Sequence, residues 1–179
     1  MAVSETAEHI LDIAEKAART GGYNAFSFRE IAAEIGIKSA SVHYHFPTKE
    51  NLGAALAQRY TERFMQALGP ADAAEPAQML QRYAEAYQRA LQQDGLMCLC
   101  GMFGSEINDL PEQVAQKTRA FFERNMAWLQ RVYQAMGEPP EAADIKAARL
   151  IATLEGAMIL SQSLNDPGLM GRIVAELTG

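Results

Sequence analysis

Residues 27–52 read SFREIAAEIGIKSASVHYHFPTKENL, and this stretch decides the fold. Its first apolar residues recur at the spacing of one helix face: Phe28, Ile31, Ala32 and Ile35. That spacing predicts an amphipathic helix of about two turns. Ser27 stands where a helix cap is expected, and Glu30, three residues later, can reciprocate in a capping box. The sequence therefore predicts where this helix begins.

Gly36 marks the end of this helix, because glycine readily takes the left-handed conformation that stops a helix and turns the chain. A second short helix is predicted from about Ser39 to His45, and Pro47 breaks the chain after it. Thr48 can then cap a following helix. A helix, a glycine turn and a second helix form the DNA-binding helix-turn-helix pattern.

The outward residues of the second helix are small, hydrogen-bonding or aromatic. Small side chains let a helix approach base edges in the major groove, whereas Tyr44, His43 and Lys49 can reach phosphates. The predicted DNA-binding residues are Ser27, Arg29, Lys38, Ser39, Ala40, Ser41, His43, Tyr44, His45 and Lys49.

Between Phe28 and Leu52 the order I-A-x-x-x-G-I, a small-residue helix, V-H-Y-H-F and x-K-E-x-L resembles the DNA-binding domain of TetR-family transcriptional regulators. The resemblance implies a repressor that acts as a homodimer on a pseudo-palindromic double-stranded DNA operator and answers a small-molecule inducer. Lys38 departs from the family pattern, because members often carry a capping Ser or Thr at that position.

The remaining chain predicts an all-α fold, since no segment alternates as a half-buried strand does. Residues 1–50 are expected to form a three-helix DNA-binding domain, and residues 49–68 a connecting helix. The Pro-, Gly- and Ala-rich break at 69–76 would begin a helical ligand-sensing and dimerisation domain, 69–179. Further helices are expected over 4–20, from about 77 to 94, from about 97 to 107, and over 111–136, 141–164 and 169–177.

Two predicted helices carry more apolar surface than one core stripe needs: residues 121–136 and 142–160. A helix that is apolar all round requires a second partner. A second copy of the chain is the simplest one, and the resemblance implies a dimer formed through the last two long helices.

The formal net charge is −6, which is unusual for a protein that holds nucleic acid by charge alone. Binding should therefore depend on a few well-placed cations. Acidic residues interrupt the N-terminus, so no signal peptide is predicted and the expected location is cytoplasmic. The longest apolar run, 150–160, is too short to span a membrane, and no membrane partner is expected.

A ligand pocket is predicted among the aromatic, methionine and cysteine residues of the second domain. Its candidate residues are Tyr83, Tyr87, Met97, Cys98, Cys100, Met102, Phe103, Phe122, Met126 and Trp128. Each could equally be ordinary core. Cys98 and Cys100 have two interpretations, reactive sensor thiols or small buried side chains. Glu106 is a charged candidate beside the pocket, or else a solvated or capping residue.

His43 and His45 lack a third metal ligand at workable spacing, so no metal site is predicted, and no cofactor either. The chain has no nucleophile with a neighbouring base, which argues against an enzyme. The preferred hypothesis is a TetR-like repressor released by a small molecule or by cysteine modification. The alternative is a protein-interaction adaptor that uses the helix-turn-helix only as scaffold.

Overall fold

The computed structural model of the protein describes residues 4–178, apart from the side chains of residues 93, 94 and 178. Within that part of the chain all regular structure is helical, which confirms the predicted all-α fold. The α-helices are α1 (Glu5–Gly21), α2 (Phe28–Ile35), α3 (Ser39–His45), α4 (Lys49–Leu68), α5 (Pro76–Asp94), α6 (Leu99–Ser105), α7 (Glu112–Ala135), α8 (Pro140–Ser163) and α9 (Leu169–Thr178). Residues 1–3 and 179, which the predicted domain ranges include, lie outside the described part.

Two predicted helix boundaries were wrong. α6 is shorter than the predicted range 97–107, because the amides of Glu106 and Asp109 donate to carbonyls three residues earlier and turn the chain. Pro111 precedes α7 instead of occupying its first turn, and its carbonyl accepts from the amide of Val114 at 2.9 Å. Both differences are local, since helix ends depend on a few competing backbone hydrogen bonds.

The contacts divide the chain into two compact units that do not follow chain order. The first unit comprises the residues up to Thr61 together with Leu99–Phe121. The second comprises Glu62–Cys98 and the residues from Phe122 onward. Helix α6 therefore belongs to the first unit and packs against α1, although it lies far from it in sequence.

In the first unit, α1 buries its apolar face and exposes its acidic one. The buried side chains of α1 include Ala7, Ile10, Leu11, Ala14 and Ala18. On its other side, Arg59 of α4 donates to Glu8 and Asp12 at 2.9 Å and to Glu15 at 2.7 Å. The guanidinium thus fastens α4 to α1 through three carboxylates of one helix face.

In the second unit, α5, α8 and α9 pack against one another, and an aromatic cluster joins α5 to α4 and α7. Tyr83 stacks on Trp128 with ring centroids 5.7 Å apart, and Tyr87 lies 5.6 Å from Tyr83. Phe64 meets both tyrosines edge to face. The Trp128 indole N–H donates to the Gly69 carbonyl at 2.8 Å, which fixes the chain after α4. Across residues 4–178, no helix has the length and apolar character that a membrane crossing requires.

Candidate functional site

The turn between α2 and α3 is built from local hydrogen bonds. The Ser27 hydroxyl accepts from the Glu30 amide at 3.3 Å and so caps α2. In a full capping box the Glu30 carboxylate would accept from the Ser27 backbone amide. Here it accepts from the Ser27 hydroxyl at 2.6 Å. Gly36 ends α2 at φ 79°, and its amide and that of Ile37 both donate to the Ala32 carbonyl. These bonds set the direction in which α3 leaves the turn.

Helix α3 presents its polar residues outward around one buried anchor, Val42. Tyr44 is 83% exposed, and Lys38, Ala40 and His43 are also exposed. Lys38 occupies the cap position without a side-chain hydrogen bond to the backbone, so its ammonium is not used in capping the helix. None of the ten predicted DNA-binding residues is buried: five are exposed and five are half-buried. The structure therefore leaves a surface of small, hydrogen-bonding and cationic side chains available to a partner.

Three of these residues also make packing contacts within the unit. The His43 ring meets Phe28 edge to face at 4.6 Å, and its Nδ1 lies 3.3 Å from the Pro47 carbonyl oxygen. The Tyr44 and His45 rings meet edge to face at 5.1 Å. His43 thus packs α3 against α2, and it would have this structural role in addition to any DNA contact.

Lys49, the first residue of α4, lies against aromatic rings. Its Nζ stands 4.7 Å from the Tyr23 ring centroid and 4.8 Å from that of Phe26. Burial lowers the pKa of Lys49, while the carboxylates of Glu30 and Glu106 oppose that shift. A cation held on two ring faces stabilises the start of α4. Lys49 is therefore a structural residue as well as a candidate phosphate contact.

Glu106, which directly follows α6, connects that helix to the segment between α1 and α2. Its Oε2 accepts from the backbone amide of Tyr23 at 2.9 Å, although the two residues are 83 positions apart. The Tyr23 ring also meets Phe103 of α6 edge to face at 6.0 Å. Glu106 is half-buried and hydrogen-bonded, so it is not simply a solvated residue, and a place beside a ligand pocket stays a prediction. No local signal identifies this bond, because a carboxylate after a short helix resembles an ordinary exposed residue.

The ten predicted ligand-binding residues are divided between the two units. Cys100, Met102 and Phe103 belong to the first unit, because the chain passes between units at Cys98 and Leu99. The remaining seven belong to the second unit. Both cysteines are buried, Cys98 at 1% and Cys100 at 0% exposure. The structure therefore does not gather the ten in one unit, and their role in ligand binding stays a prediction.

A polar cluster in the second unit surrounds Glu155, which sequence reasoning missed. Its carboxylate accepts from the Tyr87 hydroxyl at 3.2 Å and from the Cys98 thiol. Burial raises the pKa of Glu155, and these two hydrogen bonds oppose the shift. Nearby, the Tyr83 hydroxyl donates to the Asn125 side-chain oxygen at 2.9 Å. The sequence does contain a signal for it, because Glu155 is the single acid inside the apolar run 150–160, and a buried acid needs hydrogen-bond partners.

The second unit also contains two cavities of about 230 Å³ each. The first is lined by Lys146 and Arg149, with Tyr133, Thr153 and three leucines, and so suits an anion. The second is lined by uncharged residues: Leu91, Gly95, Ser161, Gln162, Asn165 and Pro167. The lining of these two cavities includes none of the ten predicted ligand-binding residues.

Comparison with known proteins covers both parts of the chain. Residues 10–56 match the family model of bacterial regulatory proteins of the tetR family. Residues 76–176 match the model of the C-terminal domain of LmrA/YxaF-like transcriptional regulators. The HTH-type transcriptional repressor DhaR of Mycobacterium sp. (strain GP1) is 26% identical over 170 residues, which is 89% of this chain and 83% of that protein.

Solved structures agree with these matches. A TetR transcriptional regulator from Legionella pneumophila is 32% identical with a TM-score of 0.91, covering 99% of this chain and 97% of that chain. A TetR-family regulator from Agrobacterium tumefaciens is 29% identical with a TM-score of 0.88, covering 97% of this chain and 95% of that one. Since the C-terminal model spans more than half of the chain and the Legionella protein resembles nearly all of it, the protein belongs to the TetR family of bacterial transcriptional regulators.

Proposed function

We propose that this protein is a repressor whose homodimer binds a short pseudo-palindromic DNA operator and leaves it when a small molecule binds the second unit. The observation that carries the proposal is the exposed surface of α3, set on a glycine turn beside α2. A helix of this kind enters the major groove, and two copies contact half-sites one helical turn apart, about 34–36 Å. Repression is the activity named for the relative DhaR.

The predicted DNA-binding surface carries few positive charges, and this determines how the protein would bind its operator. With a net charge of −6, non-specific attraction to DNA is weak, and affinity depends on Arg29, Lys38 and Lys49 together with base-edge contacts from α3. Tyr44 of α3 is 83% exposed, so its side chain is accessible to a DNA partner. Both subunits must therefore fit their half-sites at once for binding to be tight.

An exposed face of α8 supports the homodimer. Ile145 is 67% exposed and Ile159 is 55% exposed, and Ala148 and Ala152 lie exposed between them. Near Gly156 an added Cβ would meet nothing within 4 Å, so a second helix has room to approach there. These positions repeat at helical spacing along one face. An apolar stripe of this kind matches the expected self-association surface.

Release from the operator has two candidate routes, a bound small molecule or modification of a cysteine. Burial of both cysteines favours the small molecule, because a reagent reaches a buried thiol only when the unit opens. The acceptor beside Cys98 is a carboxylate, which disfavours the thiolate that reacts with electrophiles. If iodoacetamide labels Cys98 rapidly in the native protein and the labelled protein leaves DNA, modification is the route.

The experiment that tests operator binding compares Tyr44→Ala with the wild type in a gel-shift titration on the DNA upstream of the protein's own gene. We expect an affinity loss of roughly tenfold or more, because an exposed aromatic residue at the DNA surface is removed. The melting temperature should stay unchanged, since exposed substitutions are nearly neutral. His9→Ala, an exposed change on α1, is the control and should bind normally. Equal affinity for Tyr44→Ala and the wild type would remove α3 as the DNA-binding element.

A further inference from the structure

The cavity that contains two cations is lined by four helices of the second unit. Leu80 belongs to α5, Tyr133 to α7 and Leu177 to α9. The remaining lining residues lie on successive turns of α8: Lys146, Arg149, Leu150 and Thr153. Five of these seven residues are buried or half-buried, and only Arg149 and Leu177 are exposed. At about 230 Å³, the cavity exceeds the roughly 150 Å³ of a cavity known to bind benzene, so one substituted ring fits.

The positive charges of this cavity exceed the negative charges that pair with them. Lys146 pairs with the Glu138 carboxylate, yet 36% of the lysine side chain remains accessible. Among the residues that the structure describes, no carboxylate pairs with the exposed Arg149 guanidinium. None of the seven lining residues is acidic. The lining therefore keeps an unpaired positive charge that a ligand from solution can reach.

Tyr133 adds a hydroxyl close to these two cations. The Lys146 Nζ lies 6.0 Å from the Tyr133 ring centroid. Burial raises the pKa of the Tyr133 hydroxyl, and the nearby positive charge of Arg149 opposes that shift. The Thr153 hydroxyl donates to the Arg149 carbonyl at 2.8 Å, so its proton is already used. A bound anion would thus find its donors on Arg149, Lys146 and Tyr133.

The lining selects an anion that also has an apolar part. Leu80, Leu150 and Leu177 supply apolar surface beside the cations, and Leu150 is 6% exposed. A planar guanidinium matches the two oxygens of a carboxylate, and such charge-assisted hydrogen bonds are stronger than neutral ones. Inorganic phosphate would gain the charge contact but would bury no apolar surface against the leucines. A carboxylate attached to a small ring satisfies both parts of the lining.

We infer that this cavity is a binding site for a small aromatic carboxylate, whose carboxyl group pairs with Arg149 and whose ring packs on the leucines. The site adjoins the exposed apolar face of α8, because Lys146 and Arg149 directly follow Ile145 and Ala148 in sequence. A ligand held there changes the surface beside the proposed dimer interface and so favours one arrangement of the two subunits. Its role as the inducer site rests on the proposed repressor function.

The test uses benzoate as the probe, with benzamide as a neutral analogue of the same shape and acetate as an anion without the ring. Isothermal titration calorimetry on the wild-type protein should detect benzoate, with at least tenfold weaker affinity for either analogue. Arg149→Gln should weaken benzoate binding about tenfold, the loss of one partly exposed charged hydrogen bond. Arg124→Gln, which removes the same charge from an exposed position of α7 outside the lining, should bind as the wild type does.

Three results would overturn the site: no binding of benzoate, equal affinity for benzoate and either analogue, or equal affinity in Arg149→Gln and the wild type. Arg149→Gln should melt as the wild type does, because it changes an exposed side chain. A gel shift without any probe reports DNA binding separately. If the protein binds DNA but not benzoate, the ligand site is wrong and the repressor function stands. If it binds benzoate but saturating benzoate leaves its affinity for DNA unchanged, the role as inducer site is wrong.

Discussion

Replacing Glu106 by Ala should destabilise the first unit through one long-range hydrogen bond. The substitution removes the carboxylate that accepts from the Tyr23 amide at 2.9 Å, and Tyr23 is 9% exposed. A hydrogen bond to a charged group contributes about 1.5–3 kcal/mol to stability. Because Glu106 is half-buried and water can partly replace it, we expect the lower part of that range. For a chain of this length, a loss near 1.5 kcal/mol lowers the melting temperature by roughly 3–6 °C.

Urea denaturation followed by circular dichroism measures this change. Glu123→Ala on α7 is the matched control, because it removes an exposed acid. Glu106→Gln keeps an acceptor oxygen but loses the charge, so its destabilisation should fall between those of Glu106→Ala and the wild type. If Glu106→Ala unfolds within about 0.5 kcal/mol of the wild type, the bond to Tyr23 does not hold α6 to the helix-turn-helix.

Gly22 provides an independent check on the same contact. A Cβ at Gly22 would lie 2.1 Å from the Glu106 Oε1, and its φ is 79°, which strains any other residue. Gly22→Ala should therefore be destabilising for both reasons. Combining it with Glu106→Ala removes the clash but leaves the backbone strain, so the double variant should be more stable than the sum of the two single losses predicts. Strict additivity would contradict the geometry.

Two further variants test the second unit. Burial raises the pKa of Glu155, so over a range of pH the folded state keeps a proton that the unfolded state has lost. The free energy of unfolding therefore falls as the pH rises from the pKa of Glu155 in the unfolded chain to its raised pKa in the folded protein. Glu155→Gln keeps an oxygen for the Tyr87 hydroxyl and lacks that slope, so its stability relative to the wild type should rise across this window in urea titrations; parallel profiles would contradict the assignment. Ala152→Glu places a charge on the proposed dimer face and should yield monomers in sedimentation experiments, whereas Ala77→Glu, exposed in the first turn of α5, should not. A dimeric Ala152→Glu protein would place the interface elsewhere.

The helix-turn-helix could be predicted from sequence because its determinants act over a few residues. The Ser27 cap, the Gly36 turn and the Thr48 cap each depend on a hydrogen bond spanning three or four positions. Apolar spacing then identified the face of α2 that is buried, and α4 matches its predicted range, 49–68. Such local interactions are nearly independent of how distant segments pack.

The ligand site could not be predicted in the same way. Aromatic and sulfur-containing side chains predict a buried apolar region, but the same composition fills a core and lines a pocket. Here the chain passes from one unit to the other between Cys98 and Leu99, so neighbours in sequence belong to different units.

The sequence by itself determined the helical class, the helix-turn-helix and the family, because periodicity, caps and the glycine turn are written in consecutive residues. Only the tertiary structure decided that Glu106 binds the Tyr23 amide, that Glu155 meets Tyr87 and Cys98, and that two cations of α8 line one cavity with residues of α5, α7 and α9. The physical reason is that these contacts depend on how each helix is rotated and placed against the others. Many side chains pack at a helix interface, and no single stretch of sequence fixes that arrangement.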